Sequence, residues 1–419
     1  MDILIIGSGA REHALAWKLK SSPKCGMLYV APGNAGTAML AENVALDVKD
    51  NHAVVEFARE KGIGLVVIGP DDHLAAGLAD WLFDAEIPVF GPRRGAARLE
   101  WSKAFAKDFM HRHHIPAARS QAFSVYEEAL HYLRNQFMPV VIKADGLALG
   151  KGVVIAETHE AAERALRAAM VEGAFGEAGR TAVIEEFLEG KEISVHVLTD
   201  GMAGAIFPPS KDHKRAYDED QGPNTGGMGV IAPVSGVAIS EMDEIREKII
   251  MPVIRGMAQE GNVFQGILYP GIMLTKEGPK VIEFNARFGD PECESYMRLL
   301  ESDLLELMLA SANGTLKNQS VSWSSDFAVT VMLASAGYPG EYQKGFPISG
   351  LEEATSDPSI VVFHAGTTKR GDEIVTAGGR VLGVSAVGKT LAEARERAYA
   401  AVQKISFEGM RYRSDIGSI

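Results

Sequence analysis

Glu283, Asn285 and Arg287 are the residues whose types and spacing say most about chemistry. They belong to a segment, Val281-Ile282-Glu283-Phe284-Asn285, whose apolar alternation reads as a strand. Successive strand side chains point to opposite faces, so the three polar residues share one. A carboxylate, an amide oxygen and a guanidinium grouped this way can hold a divalent cation and the phosphates it bridges. Mg²⁺ takes oxygen ligands and keeps waters and nucleotide phosphates as the rest of its shell. Taken alone, the segment has the edge strand with a polar face as its minority alternative, roughly one chance in three.

Further phosphate chemistry lies upstream. Lys143 closes the apolar strand Pro139-Val140-Val141-Ile142, where a lysine without an anionic partner would be costly. That favours a phosphate contact. The loop that follows, Gly146-Leu147-Ala148-Leu149-Gly150-Lys151-Gly152, does not end in Gly-Lys-Ser/Thr and so is no Walker A loop. Lys151 sits among its glycines, on a hairpin able to close over a nucleotide. Glu185-Glu186-Phe187-Leu188 could read an adenine edge with its backbone, with Glu192 near the ribose, or could be a plain sheet strand.

Asp212-His213-Lys214-Arg215, followed by Gly222-Pro223-Asn224-Thr225-Gly226-Gly227-Met228-Gly229, places mixed charge beside a glycine-rich loop. That suits an anionic substrate and a transferring phosphoryl group, although a charge run alone is usually a solvated face. Near the start, Gly7-Ser8-Gly9-Ala10-Arg11-Glu12-His13 fails as a dinucleotide fingerprint, because Glu12 stands where the third glycine belongs. Its glycines still allow backbone amides to approach an anion at a helix N-terminus. A simple strand-to-helix turn is the alternative. Pro32-Gly33-Asn34-Ala35-Gly36-Thr37 follows a second strand and could add backbone donors to the same ligand. His111, His113 and His114 read as a surface helix end, with no acidic residue at ligand spacing.

These groups need a scaffold. In the first hundred residues, apolar strands ending at Gly7, Gly69 and Gly91 alternate with helical patterns at residues 11–20 and 74–83. The pattern predicts an open parallel sheet with its ligand site at the strand carboxyl ends. A second α/β region starts near Lys103, with a helix over residues 159–171 and a strand over 182–188. Residues 212–229 read as a long functional loop without periodicity. The last ninety-odd residues read as a smaller α+β unit with a helix over 391–404.

The chain has 419 residues, 46% hydrophobic and 23% charged, which fits a soluble protein of several domains. A formal charge of −13 argues against general nucleic-acid binding. Cys25 and Cys293 suggest neither a disulfide framework nor a zinc site. No apolar run reaches the ~20 residues of a membrane helix. A cytoplasmic protein is expected.

Taken together, these segments resemble the glycinamide ribonucleotide synthetase (phosphoribosylamine–glycine ligase) family of ATP-grasp enzymes in purine biosynthesis. The resemblance runs through the Gly7 turn, Pro32 to Gly36, Ser102-Lys103-Ala104-Phe105, Lys143 to Gly146, Asp212 to Arg215, Gly222 to Gly229 and Arg287 to Glu292. It ends in Phe363-His364-Ala365-Gly366-Thr367 and Gly378-Gly379-Arg380-Val381-Leu382, and so covers essentially the whole chain.

The resemblance implies an N-terminal open parallel-sheet domain (residues 1–102) on the phosphoribosylamine side. It implies a central ATP-grasp domain (103–322) with an inserted lid (about 123–191), and a small α+β C-terminal domain (323–419). The implied reaction joins glycine to 5-phosphoribosylamine, using ATP and Mg²⁺ or Mn²⁺, through glycyl phosphate. By resemblance, Lys103 and Lys143 hold ATP phosphates, Glu283 and Asn285 the metal, and Arg287 the charge on the transferring group. Glu185, Glu186, Leu188 and Glu192 bind adenosine, with Lys151 on the lid. Gly9, Arg11, Gly33, Asn34, Gly36 and Thr37 face phosphoribosylamine. Asp212 and Asp290 lie near the glycine amine, with Lys214 on the substrate side. A monomer or weak dimer without nucleic-acid or membrane partners is expected.

The chain departs from the family pattern at Ala10, Asp71, Ile231-Ala232 and Glu294-Ser295, all on the substrate side. Three rival readings fare worse. A carboxylase-type ATP-grasp ligase shares Lys143, Glu283, Asn285 and Arg287, but not the strings from Asp212 to Arg215 and Arg287 to Glu292 together. A non-catalytic nucleotide-binding relative predicts lost lysines or metal ligands, and none is lost. An oxidoreductase rests on the N-terminal glycines alone.

Overall fold

The computed structural model describes residues 1–147 and 152–418. Lys151, expected on the lid, lies outside the described residues. The chain opens with a five-stranded parallel sheet in the order Glu42–Asn43, Leu28–Pro32, Ile3–Gly7, Leu65–Ile68, Val89–Phe90. Every residue of Ile3–Gly7 is buried, as a strand covered on both faces requires. Gly77, at φ 84°, splits the helix expected over residues 74–83 into Asp71–Ala75 and Leu78–Asp84.

A four-stranded antiparallel sheet follows, ordered Ser120–Phe123, Ala182–Glu186, Val140–Ala144, Val153–Ala156. Phe123, Ile142, Leu166 and Ile184 join its strands to the helix His159–Met170 in a core of their own. A second antiparallel sheet is ordered Lys191–Ser194, Gly266–Thr275, Val197–Thr199, Gly204–Ile206, with Gly278–Asn285 paired to Gly266–Thr275.

The third large sheet draws on two distant stretches of sequence. Its order is Lys211–Asp212, Gly229–Ala232, Phe327–Ala334, Arg380–Gly388, Ile360–His364. The segment expected as one long loop therefore begins and ends in strands of the C-terminal sheet. Between them, Arg215–Tyr217 pairs with Gln221–Asn224 as a short hairpin. Strands of three and four residues containing Pro223 show no usable alternation, which hides them from a periodicity reading.

The first and last units dock through two histidines. His13 Nδ1 accepts from the His364 backbone N–H at 2.8 Å, and Asn34 Nδ2 donates to the His364 carbonyl at 2.7 Å. Burial, then the neighbouring His364, lowers His13 to about 3; burial lowers His364 to about 4. Both are neutral when folded, whereas unfolded chains take up protons below about 6.5. Their contribution to stability is therefore present above that value and is lost as pH falls toward 3 to 4. The melting temperature should drop across this window. His13→Asn keeps an acceptor that does not titrate and should flatten part of the drop; an unchanged pH profile of melting would sink the assignment.

Among the described residues, no helix is long and apolar enough to cross a membrane.

Candidate active site

A cleft of about 1160 Å³ opens where the four-stranded sheet, the second sheet and both terminal units meet. Lys103, Lys143, Glu185, Glu186, Leu188, Glu192, Glu283, Asn285 and Arg287 line it. So do Arg11, Asp212, Lys214 and Asp290. Gly9, Gly33, Asn34, Gly36 and Thr37 do not.

The strand Gly278–Asn285 is the spine of the cleft. Its pairing shifts between Gly271 and Ile272, which leaves Ile282 as an extra residue. The Ile282 carbonyl instead accepts from Lys143 Nζ at 3.0 Å. Beyond this bulge the alternation is clean: Phe284, Ala286 and Phe288 enter the core, and Glu283, Asn285 and Arg287 face the cleft. Arg287 donates from Nη2 to Asn285 Oδ1 at 3.2 Å and pairs with Glu100 Oε1 at 2.8 Å. Among the described residues no three His, Cys, Asp or Glu side chains gather as a metal cluster. Glu283 and Asn285 thus offer two oxygens and leave the rest of a shell to phosphates and water, as Mg²⁺ prefers.

Cations surround that carboxylate. Burial would raise Glu283, but Lys214, Lys143 and Lys103 outweigh it and hold it down at about 2. Lys214 Nζ lies 3.5 Å from Glu283 and 2.6 Å from Glu192. Lys103 starts the helix Lys103–Arg112, capped by Ser102 Oγ accepting from the Phe105 N–H at 3.2 Å. Asp145 accepts the Ala104 N–H at 3.1 Å, and Lys103 Nζ donates to the Gly146 carbonyl at 2.9 Å. The helix and the loop after Lys143 are thereby fixed to each other.

Glu185, expected near adenosine, accepts two lysines on one oxygen. Lys143 Nζ stands 3.1 Å and Lys107 Nζ 2.9 Å from Oε2. Two buried ammonium groups on one carboxylate leave net positive charge that Glu283 only partly offsets; burial lowers Lys107 from its ordinary value, and an arriving anion would oppose that. Glu186 is turned to Arg119, whose Nε donates to it at 2.7 Å. The strand Ala182–Glu186 ends there. Among the described residues the Phe187 and Leu188 backbone groups find no hydrogen-bond partner, leaving an open edge along the cleft wall.

Asp212, Asp290 and Glu292 also line the cleft. Tyr269 donates its hydroxyl proton to Glu292 Oε1 at 2.5 Å, and Ser194 Oγ donates to the same oxygen at 3.2 Å. Asp212 Oδ1 is buried without a partner. Burial and then Glu292 push Asp212 well above the usual carboxylate range, with Lys214 and Arg380 only partly opposing them.

The N-terminal turns hold their own ligands. The Gly9 N–H donates to Glu12 Oε2 at 2.6 Å, so the anion at this helix N-terminus is a protein carboxylate. A methyl on Gly7, Gly9 or Gly69 would lie 2.6, 2.8 or 2.0 Å from that side chain. The amides of the next turn are equally engaged. Gly33 donates to the Gly7 carbonyl, Asn34 to Thr37 Oγ1, Ala35 to the Thr367 carbonyl, and Gly36 and Thr37 to Asn34 Oδ1. The side chain that does reach the cleft is Arg11, held by Glu12 at 2.6 Å and donating to the Phe288 carbonyl at 3.2 Å. Arg287 Nη1 donates to the same carbonyl at 3.2 Å, which ties the two guanidiniums together.

Several site residues escaped the sequence reading. Lys107 was accessible to it, since four residues after Lys103 on a helix is the same face one turn on. Glu100 and Tyr269 gave no local signal; Glu292 and Arg380 lie in strings that carry the family resemblance but had no assigned role until the fold brought them in.

Three family models cover the chain. Those described as phosphoribosylglycinamide synthetase N domain, ATP-grasp (A) domain and C domain match residues 1–100, 101–293 and 328–419. A phosphoribosylamine–glycine ligase of Escherichia coli is 49% identical over 422 residues, covering 100% of this chain and 98% of the relative. One from Caldanaerobacter subterraneus is 46% identical over 418 residues, with 100% of both covered. The crystal structure of phosphoribosylamine–glycine ligase from Thermotoga maritima matches with TM-score 0.87 and 34% identity over 99% of this chain and 100% of that one. A biotin carboxylase domain of Hydrogenobacter thermophilus, at TM-score 0.76 and 18% identity over 98% of this chain and 91% of that one, shares the fold. With all three models matched and full-length relatives at this identity, the chain belongs to the phosphoribosylglycinamide synthetase family.

Proposed function

We propose that this chain ligates glycine to 5-phosphoribosylamine, consuming ATP and giving glycinamide ribonucleotide, ADP and phosphate. The observation that carries the reading is the polarity of one cleft. Three lysines and a pair of cleft-facing oxygens, Glu283 and Asn285, share its lining with Asp212, one of whose oxygens is buried without a partner. Such a cleft accepts a polyphosphate and an ammonium side by side.

In this reading the adenine lies along the open Phe187–Leu188 edge, with Glu192 near the ribose. Lys103, Lys143 and Lys107 neutralise the phosphates. Glu283 and Asn285 would hold a divalent cation, Mg²⁺ or Mn²⁺, whose charge would offset that developing on the phosphates. A glycine carboxylate oxygen attacks the γ-phosphorus, the bond to the bridging oxygen breaks, and ADP leaves. Arg287 faces the oxygens on which charge builds, and Glu100 holds the guanidinium still. Asp212 and Asp290 complement the glycine ammonium. The amine of phosphoribosylamine, on the Arg11 side, then attacks the acyl carbon and expels phosphate with loss of a proton. The engaged turns at Gly9 and residues 33–37 form the wall behind Arg11.

The test is ADP release with ATP, Mg²⁺, glycine and freshly generated phosphoribosylamine, omitting one component at a time. Turnover that needs all of them is expected. Turnover with another acid or amine, and none with this pair, would overturn the substrate assignment.

A further inference from the structure

Gly378-Gly379-Arg380 stands out in the sequence, and the reaction as written gives it no task. Arg380 is the first residue of the strand Arg380–Gly388, in the C-terminal unit. Gly379 has no side chain because the Tyr338 ring occupies that space; a methyl there would lie 2.3 Å from it. Tyr338 and Arg380 then reach the cleft together.

Both hold the same glycine turn. Arg380 Nη1 donates to the carbonyls of Gly226 at 2.7 Å and Gly227 at 3.2 Å. Tyr338 OH accepts from the Gly226 N–H at 3.0 Å. The turn passes close to Asp212: a methyl on Gly227 would lie 2.7 Å from Asp212 Oδ1, so only a glycine fits there. Gly227, at φ 110°, is also in a conformation that other residues rarely adopt. Arg380 holds the second acid directly: Nη1 donates to the Asp290 carbonyl at 2.7 Å and Nη2 pairs with Asp290 Oδ1 at 2.9 Å. One guanidinium thus holds Asp290 directly and also holds the glycine turn that packs beside Asp212.

We propose that Arg380, assisted by Tyr338, is a positioning residue for glycine: it sets the separation of Asp212 and Asp290 and so the affinity for the glycine ammonium. The inference rests on the glycine reading above. Arg380 spends its donors on carbonyls and a carboxylate inside the protein, which distinguishes it from a residue that binds substrate itself. A lysine cannot replace this fork, because it offers a point charge on a flexible stem.

The test uses the full chain with Arg380→Lys, Arg380→Met and Tyr338→Phe, varying ATP, glycine and phosphoribosylamine in turn and recording melting curves. Misplaced aspartates should raise the glycine KM by about tenfold or more in Arg380→Met, with partial rescue in Arg380→Lys and a rise of about threefold in Tyr338→Phe. The ATP KM should stay within about twofold. An unchanged glycine KM, or an ATP KM that rises by the same factor, overturns the proposal. If Arg380→Met does not fold, the two milder variants decide by the same criterion. A wild-type chain without turnover on glycine and phosphoribosylamine overturns the functional reading as well; an active wild type with unaffected variants overturns only this inference.

Discussion

Glu283→Ala should lower kcat by about a thousandfold while the protein still folds. In the proposed reading Glu283 supplies the one carboxylate of the cation site, and Asn285 alone would offer a neutral amide. Because Lys214, Lys143 and Lys103 hold Glu283 down at about 2 against the effect of burial, it is ionised at every working pH. Competition for it comes from lysines rather than protons. Linkage follows: its contribution to stability is complete above the usual glutamate value of 4.5 and is lost only as pH falls toward 2. Alanine leaves Lys214 paired with Glu192 at 2.6 Å, so the fold loses no essential contact. Single-turnover kinetics over a range of Mg²⁺ concentrations, alongside circular dichroism, checks this. Near-normal turnover would remove the metal assignment.

The second large effect is expected at Arg287. Arg287→Lys should reduce kcat by about a hundredfold or more, with a smaller change in ATP KM. The guanidinium bridges Glu100, Asn285 and the Phe288 carbonyl, and its Nε is buried without a partner. Burial works against its charge, yet Glu100 more than restores it, so the group stays cationic where the proposed reading puts the phosphoryl transfer. A lysine could keep one of these contacts but would leave Glu100 or Asn285 unsatisfied. Rapid-quench measurement of ADP formation separates the chemical step from product release. A lysine variant with a wild-type burst would rule out a role for Arg287 in phosphoryl transfer.

What the sequence made legible follows the range of each interaction. Glu283, Asn285 and Arg287 could be read together because alternation is local and survives the bulge at Ile282. Lys143 could be read because a lysine closing an apolar strand needs a reason. The N-terminal glycine turn misled as to its anion, although Gly9 and Glu12 at capping-box spacing carried the answer. Glu12 fills the space that the glycines leave open. The split of Lys143 and Lys107 over Glu185 depends on a helix meeting two strands. Arg380 reaches Gly226 across 154 positions of sequence, and Arg11 reaches Phe288 across 277. Nothing in a neighbouring residue announces such pairs. The hairpin inside residues 212–229 was missed for another reason: its two strands pair only with each other and are too short to show alternation.

The shared sheet bears on how this chain can be divided. Gly229–Ala232 hydrogen-bonds on one side to Lys211–Asp212 and on the other to Phe327–Ala334. A polypeptide stopped before Phe327 would carry Gly229–Ala232 as a bare apolar edge, a template for pairing with other chains. The last ninety-odd residues thus cover the edge of the two-strand pair that carries Asp212. Truncation, circular permutation or fragment complementation would succeed only with cuts that keep those three strands in one piece.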